Sequence, residues 1–135
     1  MNVVDSAAWL EYFADGPNAG EFAEAIADIE SLIVPSITLF EVFKRVRVQR
    51  DPAAALYAVA QMMRGRVVDL DSELAVAAAA LGAETGLAMA DSVVLATARE
   101  SDATLWTQDS DFEGMEGVEF RGRTEAPHGL CPTRP

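Results

Sequence analysis

The chain has 135 residues, of which 50% are hydrophobic and 24% are charged, a balance that is typical of one globular domain and excludes a disordered chain. Its apolar runs are too short to cross a bilayer and its N-terminus lacks the basic segment of a signal peptide, so we expect a cytoplasmic protein without membrane association. The net charge of −12 argues against a nucleic-acid partner, unless a local basic surface is present.

Strand-like and helix-like segments alternate along the chain. Short apolar runs predict strands at residues 2–5, 32–34, 67–70, 104–107 and, as an edge strand, 118–120. Helical apolar spacing predicts helices between them, so the fold class is α/β: three α/β/α layers around a central parallel sheet of four to five strands. We expect one domain over residues 1–135, with an irregular tail rich in proline and glycine from about residue 121.

Some helix boundaries and faces follow from single residues. Ser36 is expected to cap the helix after the second strand, and either Asp71 or Ser72 the alanine-rich helix. The helix that begins at Pro52 should bury a stripe of apolar residues: Leu56, Val59, Ala60 and Met63. Met62 and Met63 are interpreted as core filling.

Five carboxylates stand at the edges of separate apolar segments: Asp5, Glu41, Asp91, Asp109 and Asp111. Strand ends of an open α/β sheet meet in one crevice, and a tight cluster of acids there is costly unless a cation neutralises it. Hard oxygen ligands favour Mg²⁺ or Mn²⁺. Each acid taken alone also has an ordinary structural interpretation, as a helix cap or as a solvated helix residue.

Other polar residues bear on this site in different ways. Ser6 and Thr107 stand beside acids and are candidates for orienting a carboxylate or an attacking water, although Ser6 is equally well placed to cap a helix. The single cysteine, Cys131, and the single histidine, His128, lie in the tail, which excludes a thiolate or histidine-rich metal site.

Four of the ten basic residues fall within one predicted helix: Lys44, Arg45, Arg47 and Arg50. A basic strip next to an acidic pocket would suit a polyanion whose scissile phosphate must reach bound metal ions. The alternative interpretation is a solvated helix face. We keep these four residues as candidate RNA-binding residues.

Four motifs together resemble the PIN-domain ribonucleases, and more narrowly the VapC-type toxins of toxin–antitoxin modules. They are residues 3–12 (VVDSAAWLEY), 35–42 (PSITLFEV), 90–98 (ADSVVLATA) and 105–112 (LWTQDSDF). The resemblance implies an endoribonuclease that depends on Mg²⁺ or Mn²⁺, forms a homodimer, and is inhibited by a cognate antitoxin in a hetero-oligomer. Its acidic quartet matches Asp5, Glu41, Asp91 and Asp109, and Asp111 matches an additional acid. The metal ligands would be Asp5, Asp91, Asp109 and Asp111, with Ser6 and Thr107 as polar companions.

Other classes of protein remain as alternatives. A response-regulator receiver needs a late lysine, whereas Lys44 is the only lysine here and lies in mid-sequence. A haloacid-dehalogenase-type phosphatase needs a second aspartate two residues after the first, and that position is Ala7. The main alternative is a non-catalytic binding protein whose acidic pocket receives a basic side chain of another chain. Dimerisation is suggested by apolar residues on the central helices: Phe40, Phe43, Val46 and Tyr57.

Overall fold

The structure is a computed structural model, which describes residues 1–123. Cys131, His128 and most of the predicted tail lie outside the described residues. The strands are β1 (Asn2–Val4), β2 (Leu32–Pro35), β3 (Arg66–Val68), β4 (Thr104–Thr107) and β5 (Val118–Phe120). The helices are α1 (Ser6–Phe13), α2 (Ala19–Ala27), α3 (Ser36–Gln49), α4 (Pro52–Met62), α5 (Ser72–Thr85) and α6 (Met89–Glu100).

The five strands form one sheet in the order β3-β2-β1-β4-β5, and all four pairings are parallel. The predicted parallel sheet, including the edge strand β5, is therefore confirmed. The chain moves outward from β1 to β2 and β3, and then returns to the other side of β1 at β4. In open α/β sheets, ligands bind in the crevice outside the carboxyl ends of the strands at such a reversal. Here the crevice lies between the ends of β1 and β4.

Successive residues of the strands point to opposite faces of the sheet, and a hydrophobic core forms on each face. Val4 and Val34 point to the face covered by α1, α2, α3 and α4, where Trp9, Phe22 and Met62 are buried. Val3 and Ile33 on the same two strands, together with Leu105 on β4, point to the other face, under α6. Because successive strand residues alternate between faces, a single short apolar run can supply both cores. The predicted three-layer α/β/α arrangement is confirmed.

The buried face of α4 differs from the prediction. Its buried residues are Ala55, Ala58 and Met62, whereas Leu56 is 62% exposed and Met63 is 55% exposed. Small alanines at the contact allow α4 to pack closely on α3. In this orientation of the helix, its larger apolar residues point towards solvent. Met62 is core filling as predicted, but Met63 is not.

The predicted cap at Ser36 is also wrong. Ser36 is the first residue of α3, Pro35 occupies the cap position, and no side chain caps this end of the helix. The Ser36 hydroxyl instead accepts a hydrogen bond from the backbone N–H of Leu70 at 3.3 Å. Thr38 donates its hydroxyl to the carbonyl of Pro35 at 2.7 Å. The turn into α3 is thus held by contacts that no capping pattern indicates.

Helix α5 has its cap at Asp71, whose carboxylate accepts the N–H of Leu74 at 2.9 Å. We expect Asp71→Ala to lower the free energy of unfolding by about 1 kcal/mol, because that N–H loses its partner. Urea unfolding measures the change. Ser72→Ala is the matched control and should change the stability by less than Asp71→Ala. A larger loss in the control would identify Ser72 as the cap.

Among the described residues, no single helix is long and apolar enough to cross a membrane. Helices α5 and α6 meet the length and composition criteria only as a pair, across a bend of 112°.

Candidate metal centre

Asp5 directly follows β1 and lies between β1 and β4. Its backbone N–H donates to the carbonyl of Trp106 at 3.1 Å, which continues the pairing of the two strands by one residue. Its side chain caps α1, with Oδ1 accepting the N–H of Ala8 at 2.9 Å. The other oxygen, Oδ2, accepts the hydroxyl of Thr107 at 2.5 Å. Asp5 therefore has a fixed orientation, and it is Asp5 rather than Ser6 that caps the helix.

Thr107, the last residue of β4, connects two of the acids. It is fully buried, and its hydroxyl both donates to Asp5 and accepts the backbone N–H of Asp109 at 2.9 Å. Asp109 in turn accepts the N–H of Asp111 through Oδ1 at 2.9 Å. These local bonds form a tight turn, which presents both Asp109 and Asp111 at the carboxyl end of β4.

Asp91 completes a triad with these two acids. It lies in the first turn of α6. One carboxylate oxygen from each of Asp91, Asp109 and Asp111 lies within 4.8 Å of the others. Asp91 and Asp109 are half-buried, and Asp111 is exposed. Asp5 and Glu41 do not belong to this triad of oxygens.

Asp5 and Asp91 both have raised pKa values. The pKa of Asp5 is raised from 3.8 to about 7, mainly by burial and to a smaller extent by the charges of Asp109 and Asp91, against the lowering effect of its hydrogen bonds with Thr107 and Ala8. Burial is also the largest cause for Asp91, whose pKa rises to about 6 with the help of the charges on Asp109, Glu41 and Asp111. Every charged neighbour that shifts these two pKa values is an acid, so the repulsion is mutual.

Glu41 adds to the negative field of the pocket from α3. It is half-buried, and Oε1 accepts the hydroxyl of Ser6 at 2.8 Å. This bond joins the start of α1 to the middle of α3. Glu41 is also close enough to raise the pKa of Asp91. The structure thus brings all five predicted acids, together with Ser6 and Thr107, around one crevice.

These residues fit a hard divalent cation. Carboxylate oxygens are the ligands that Mg²⁺ and Mn²⁺ prefer, and the spacing of the triad allows three of them to converge on one ion. The raised pKa values reflect burial first and then mutual repulsion between acids, which no basic side chain among residues 1–123 offsets by a salt bridge. Among the described residues, the only salt bridges are those of Arg121 with Glu21 and Glu119.

The four candidate RNA-binding residues, three on α3 and Arg50 directly after it, do not form one strip. All are exposed. Arg45 and Arg50 line a cavity of about 420 Å³ between α1, α3 and α4. Lys44 and Arg47 line a separate apolar cavity of about 420 Å³ with Phe40. Two different surfaces of α3 are therefore basic, and none of the four residues makes a salt bridge with any residue from 1 to 123.

A polar cluster next to the triad was not indicated by any sequence pattern. Gln108 lies between Thr107 and Asp109 and is only 4% exposed, and Asn18 is 6% exposed. The two side chains are hydrogen bonded to each other, and Glu11 of α1 contacts both residues. In the sequence, Asn18 sits in a Gly-Pro-Asn segment that indicates only a break between helices.

The fold and its acidic crevice define a class of three-layer α/β/α domains with clustered carboxylates at the switch point of the sheet. Residues 3–118 match the family model described as PIN domain. Since the match covers most of the sequence, the chain belongs to the PIN-domain family, as the four motifs predicted. No curated protein sequence gives a significant match.

Several solved structures share this fold. A toxin–antitoxin complex from Klebsiella pneumoniae has a TM-score of 0.77 and 22% identity, covering 92% of this chain and 100% of that one. VapC20 of Mycobacterium tuberculosis, a toxin that cleaves the sarcin–ricin loop, has a TM-score of 0.72 and 18% identity over 86% and 95% of the two chains. The DNA-bound VapBC of Salmonella typhimurium has a TM-score of 0.68 and 18% identity over 90% and 97%.

Proposed function

We propose that this protein is a divalent-metal-dependent endoribonuclease that acts as the toxin of a toxin–antitoxin pair. The observation that carries the nuclease proposal is the convergence of Asp91, Asp109 and Asp111 beside the buried Asp5. A cluster of acids with unfavourable mutual charge is suited to Mg²⁺ or Mn²⁺ and to the phosphate oxygens that complete such an ion's coordination. An RNA substrate would place the activity in the cytoplasm.

Each acid has a proposed role that follows from its surroundings. Asp91, Asp109 and Asp111 would hold the cation, and Asp5 would take part with an oxygen whose direction is set by Ala8 and Thr107. Glu41, fixed by Ser6, would orient the attacking water from the α3 side. A bound divalent cation supplies the Lewis acidity that activates water and offsets the charge on the scissile phosphate.

The toxin role is supported by the structures that share the fold. The Klebsiella structure is a toxin–antitoxin complex, and VapC20 is a toxin that cuts an RNA loop. We infer that this chain likewise has a cognate antitoxin partner. The exposed aromatic residues Phe40 and Tyr57, which are 61% and 64% exposed, support the proposal that it forms a homodimer and a toxin–antitoxin hetero-oligomer.

We assign contact with RNA to exposed cations on α3 and at its C-terminal end. Lys44, Arg45 and Arg47 lie on α3, the helix that also carries Glu41, and Arg50 is the residue that follows it. Because the chain has a net charge of −12, these cations would offset repulsion between the protein and the phosphate backbone. Their division between two surfaces suggests that a folded RNA contacts more than one side of α3.

Cleavage of a mixed pool of folded RNA tests the proposal. We expect the purified protein to cut RNA with Mn²⁺ or Mg²⁺ and to stop when a chelator is added. Asp91→Asn should reduce the rate by at least about 100-fold, because a neutral carboxamide replaces one of the charged carboxylates that would hold the cation. Asp69→Asn is the matched control: Asp69 is an exposed acid that follows β3 at the same edge of the sheet, and its loss should leave the rate unchanged.

Two results would count against the nuclease. Cleavage that continues at the same rate in chelator would remove the metal from the mechanism. No cleavage by the wild type with metal present, although Mn²⁺ binds, would favour a binding protein whose acidic pocket receives a basic side chain of a partner.

A further inference from the structure

Three polar side chains form a cluster behind the Asp109 turn: Glu11, Asn18 and Gln108. The amide of Asn18 donates from Nδ2 to Oε1 of Gln108 at 3.1 Å, and Gln108 donates from Nε2 to Oε1 of Glu11 at 3.5 Å. The backbone N–H of Asn18 donates to Oε2 of Glu11 at 2.7 Å. The cluster thus joins helix α1, the segment between α1 and α2, and the residue that immediately precedes Asp109.

Burial makes this arrangement costly to change. Gln108 and Asn18 are almost fully buried, and a buried carboxamide without partners is strongly unfavourable. Asn18 also donates to the carbonyl of Gly122 at 2.9 Å, so the cluster reaches the segment after β5. A side chain at Gly16 would overlap the Glu11 carboxylate, because a Cβ there would stand well inside van der Waals contact with its atoms. The glycine at position 16 therefore leaves the space that the Glu11 carboxylate occupies.

The position of Gln108 connects the cluster to the triad. Thr107 and Gln108 leave the end of β4 with their side chains in opposite directions: Thr107 reaches Asp5, and Gln108 reaches Asn18 and Glu11. Asp109 is the next residue. Two buried side chains on opposite sides of the backbone therefore limit its rotation just before the metal-ligand turn.

We propose that Gln108 is a positioning residue, which holds Asp109 in the direction needed to share a cation with Asp91 and Asp111. Glu11 and Asn18 act through it, as the fixed partners of its carboxamide. This inference rests on the proposed metal site. It predicts that the cluster contributes to metal affinity although none of its three side chains belongs to the triad of metal-ligand oxygens.

Mn²⁺ binding to the full chain, measured by titration calorimetry, tests the proposal directly. We expect Gln108→Met, which keeps the length of the side chain and removes its polar atoms, to weaken Mn²⁺ binding by about tenfold. In cleavage assays, the rate should recover towards that of the wild type as Mn²⁺ is raised. The Michaelis constant for RNA at saturating Mn²⁺ should remain unchanged.

Asn2→Ala is the matched control. Like Gln108→Met it removes a side-chain hydrogen bond, in this case one between β1 and β4. Asn2 accepts the indole N–H of Trp106 at 2.8 Å, at the start of β1 and away from the carboxyl ends of the strands. This variant is expected to lower the thermal midpoint while leaving the Mn²⁺ affinity unchanged. A purely structural role for Gln108 would give the same pattern as this control.

A charge exchange provides a second test that does not depend on Gln108→Met folding well. Gln108→Glu alone places a second carboxylate against Glu11 and should weaken Mn²⁺ binding. Glu11→Gln combined with Gln108→Glu restores one carboxylate and one carboxamide, and each of the three hydrogen bonds among Glu11, Asn18 and Gln108 can form again with donor and acceptor reversed where needed. We expect the double variant to recover the Mn²⁺ affinity to within about threefold of the wild type.

The outcomes separate this inference from the proposed function. If the wild type binds Mn²⁺ and Gln108→Met and Gln108→Glu bind it equally well, the positioning role is wrong and the metal site stands. Failure of the double variant to recover affinity lost in Gln108→Glu would also overturn it. If the wild type does not bind Mn²⁺, both the metal site and the positioning role are wrong.

Discussion

Replacing Asp5 with asparagine is expected to make the metal-free protein more stable while removing its cleavage activity. The pKa of Asp5 is raised from 3.8 to about 7, mainly by burial, so the folded state disfavours its ionised form. For a carboxyl whose pKa is raised on folding, the stabilising contribution is complete below about pH 4 and is lost as the pH rises through 7. Above that pH, ionisation costs the wild type on the order of 4 kcal/mol.

The Asp5→Asn variant would avoid this cost because a carboxamide carries no charge. Its carbonyl can still accept the N–H of Ala8, which preserves the cap of α1. Urea unfolding in the presence of a chelator should therefore show a gain in stability at pH 8 that disappears at pH 4. RNA cleavage at pH 8 should fall by at least about 100-fold. A variant that is less stable than the wild type at both pH values would show that Asp5 is not held at an electrostatic cost.

Metal affinity is expected to fall steeply on acidification, because protons compete with the cation for the same carboxylates. The pKa of Asp91 is about 6, so about nine-tenths of this group is protonated at pH 5 in the metal-free protein. The apparent Mn²⁺ dissociation constant should rise about tenfold from pH 8 to pH 5 through Asp91 alone. Protonation of Asp5 adds to this loss. Titration calorimetry at several pH values measures the change.

Glu41→Gln provides an internal check of the electrostatic cause. The charge on Glu41 is one of those that raise the pKa of Asp91. Its removal should therefore move the pH dependence of Mn²⁺ binding to lower pH. An affinity that does not change between pH 8 and pH 5 would contradict the role of Asp91 as a metal ligand.

The sequence was sufficient to predict the sheet and the meeting of the acids. Short runs of β-branched residues define the strands, and parallel strands bring their carboxyl ends to one edge, so Asp5 and Asp109 had to lie close together. The proximity of Asp5 and Asp109 could be predicted for this reason, although the set of acids whose oxygens converge could not. Whether Asp5 or Asp111 joins Asp91 and Asp109 depends on local turns, such as the one in which Asp111 donates to Asp109.

Features that depend on contacts between distant residues could not be predicted. Gln108 and Asn18 are separated by 90 positions, and nothing in either local sequence indicates that their amides pair. The buried face of α4 was predicted wrongly because the apolar spacing of this helix fits more than one face, whereas close packing on α3 selected Ala55 and Ala58. The spread of basic residues over two surfaces of α3 likewise depends on which neighbours cover the helix.

Strand order also determines when the acidic pocket can form during synthesis. Strand β1 is made first, yet its neighbour β4 is translated only after β2 and β3, and Thr107 meets Asp5 across 102 positions. A growing chain can build the half of the sheet that contains β2 and β3 before β4 exists. Asp109 and Asp111 then reach the pocket only after β4 has been translated. A ribosome whose chain does not yet include β4 therefore does not display the assembled carboxylates, and the proposed toxin would become active only after β4 has joined the sheet.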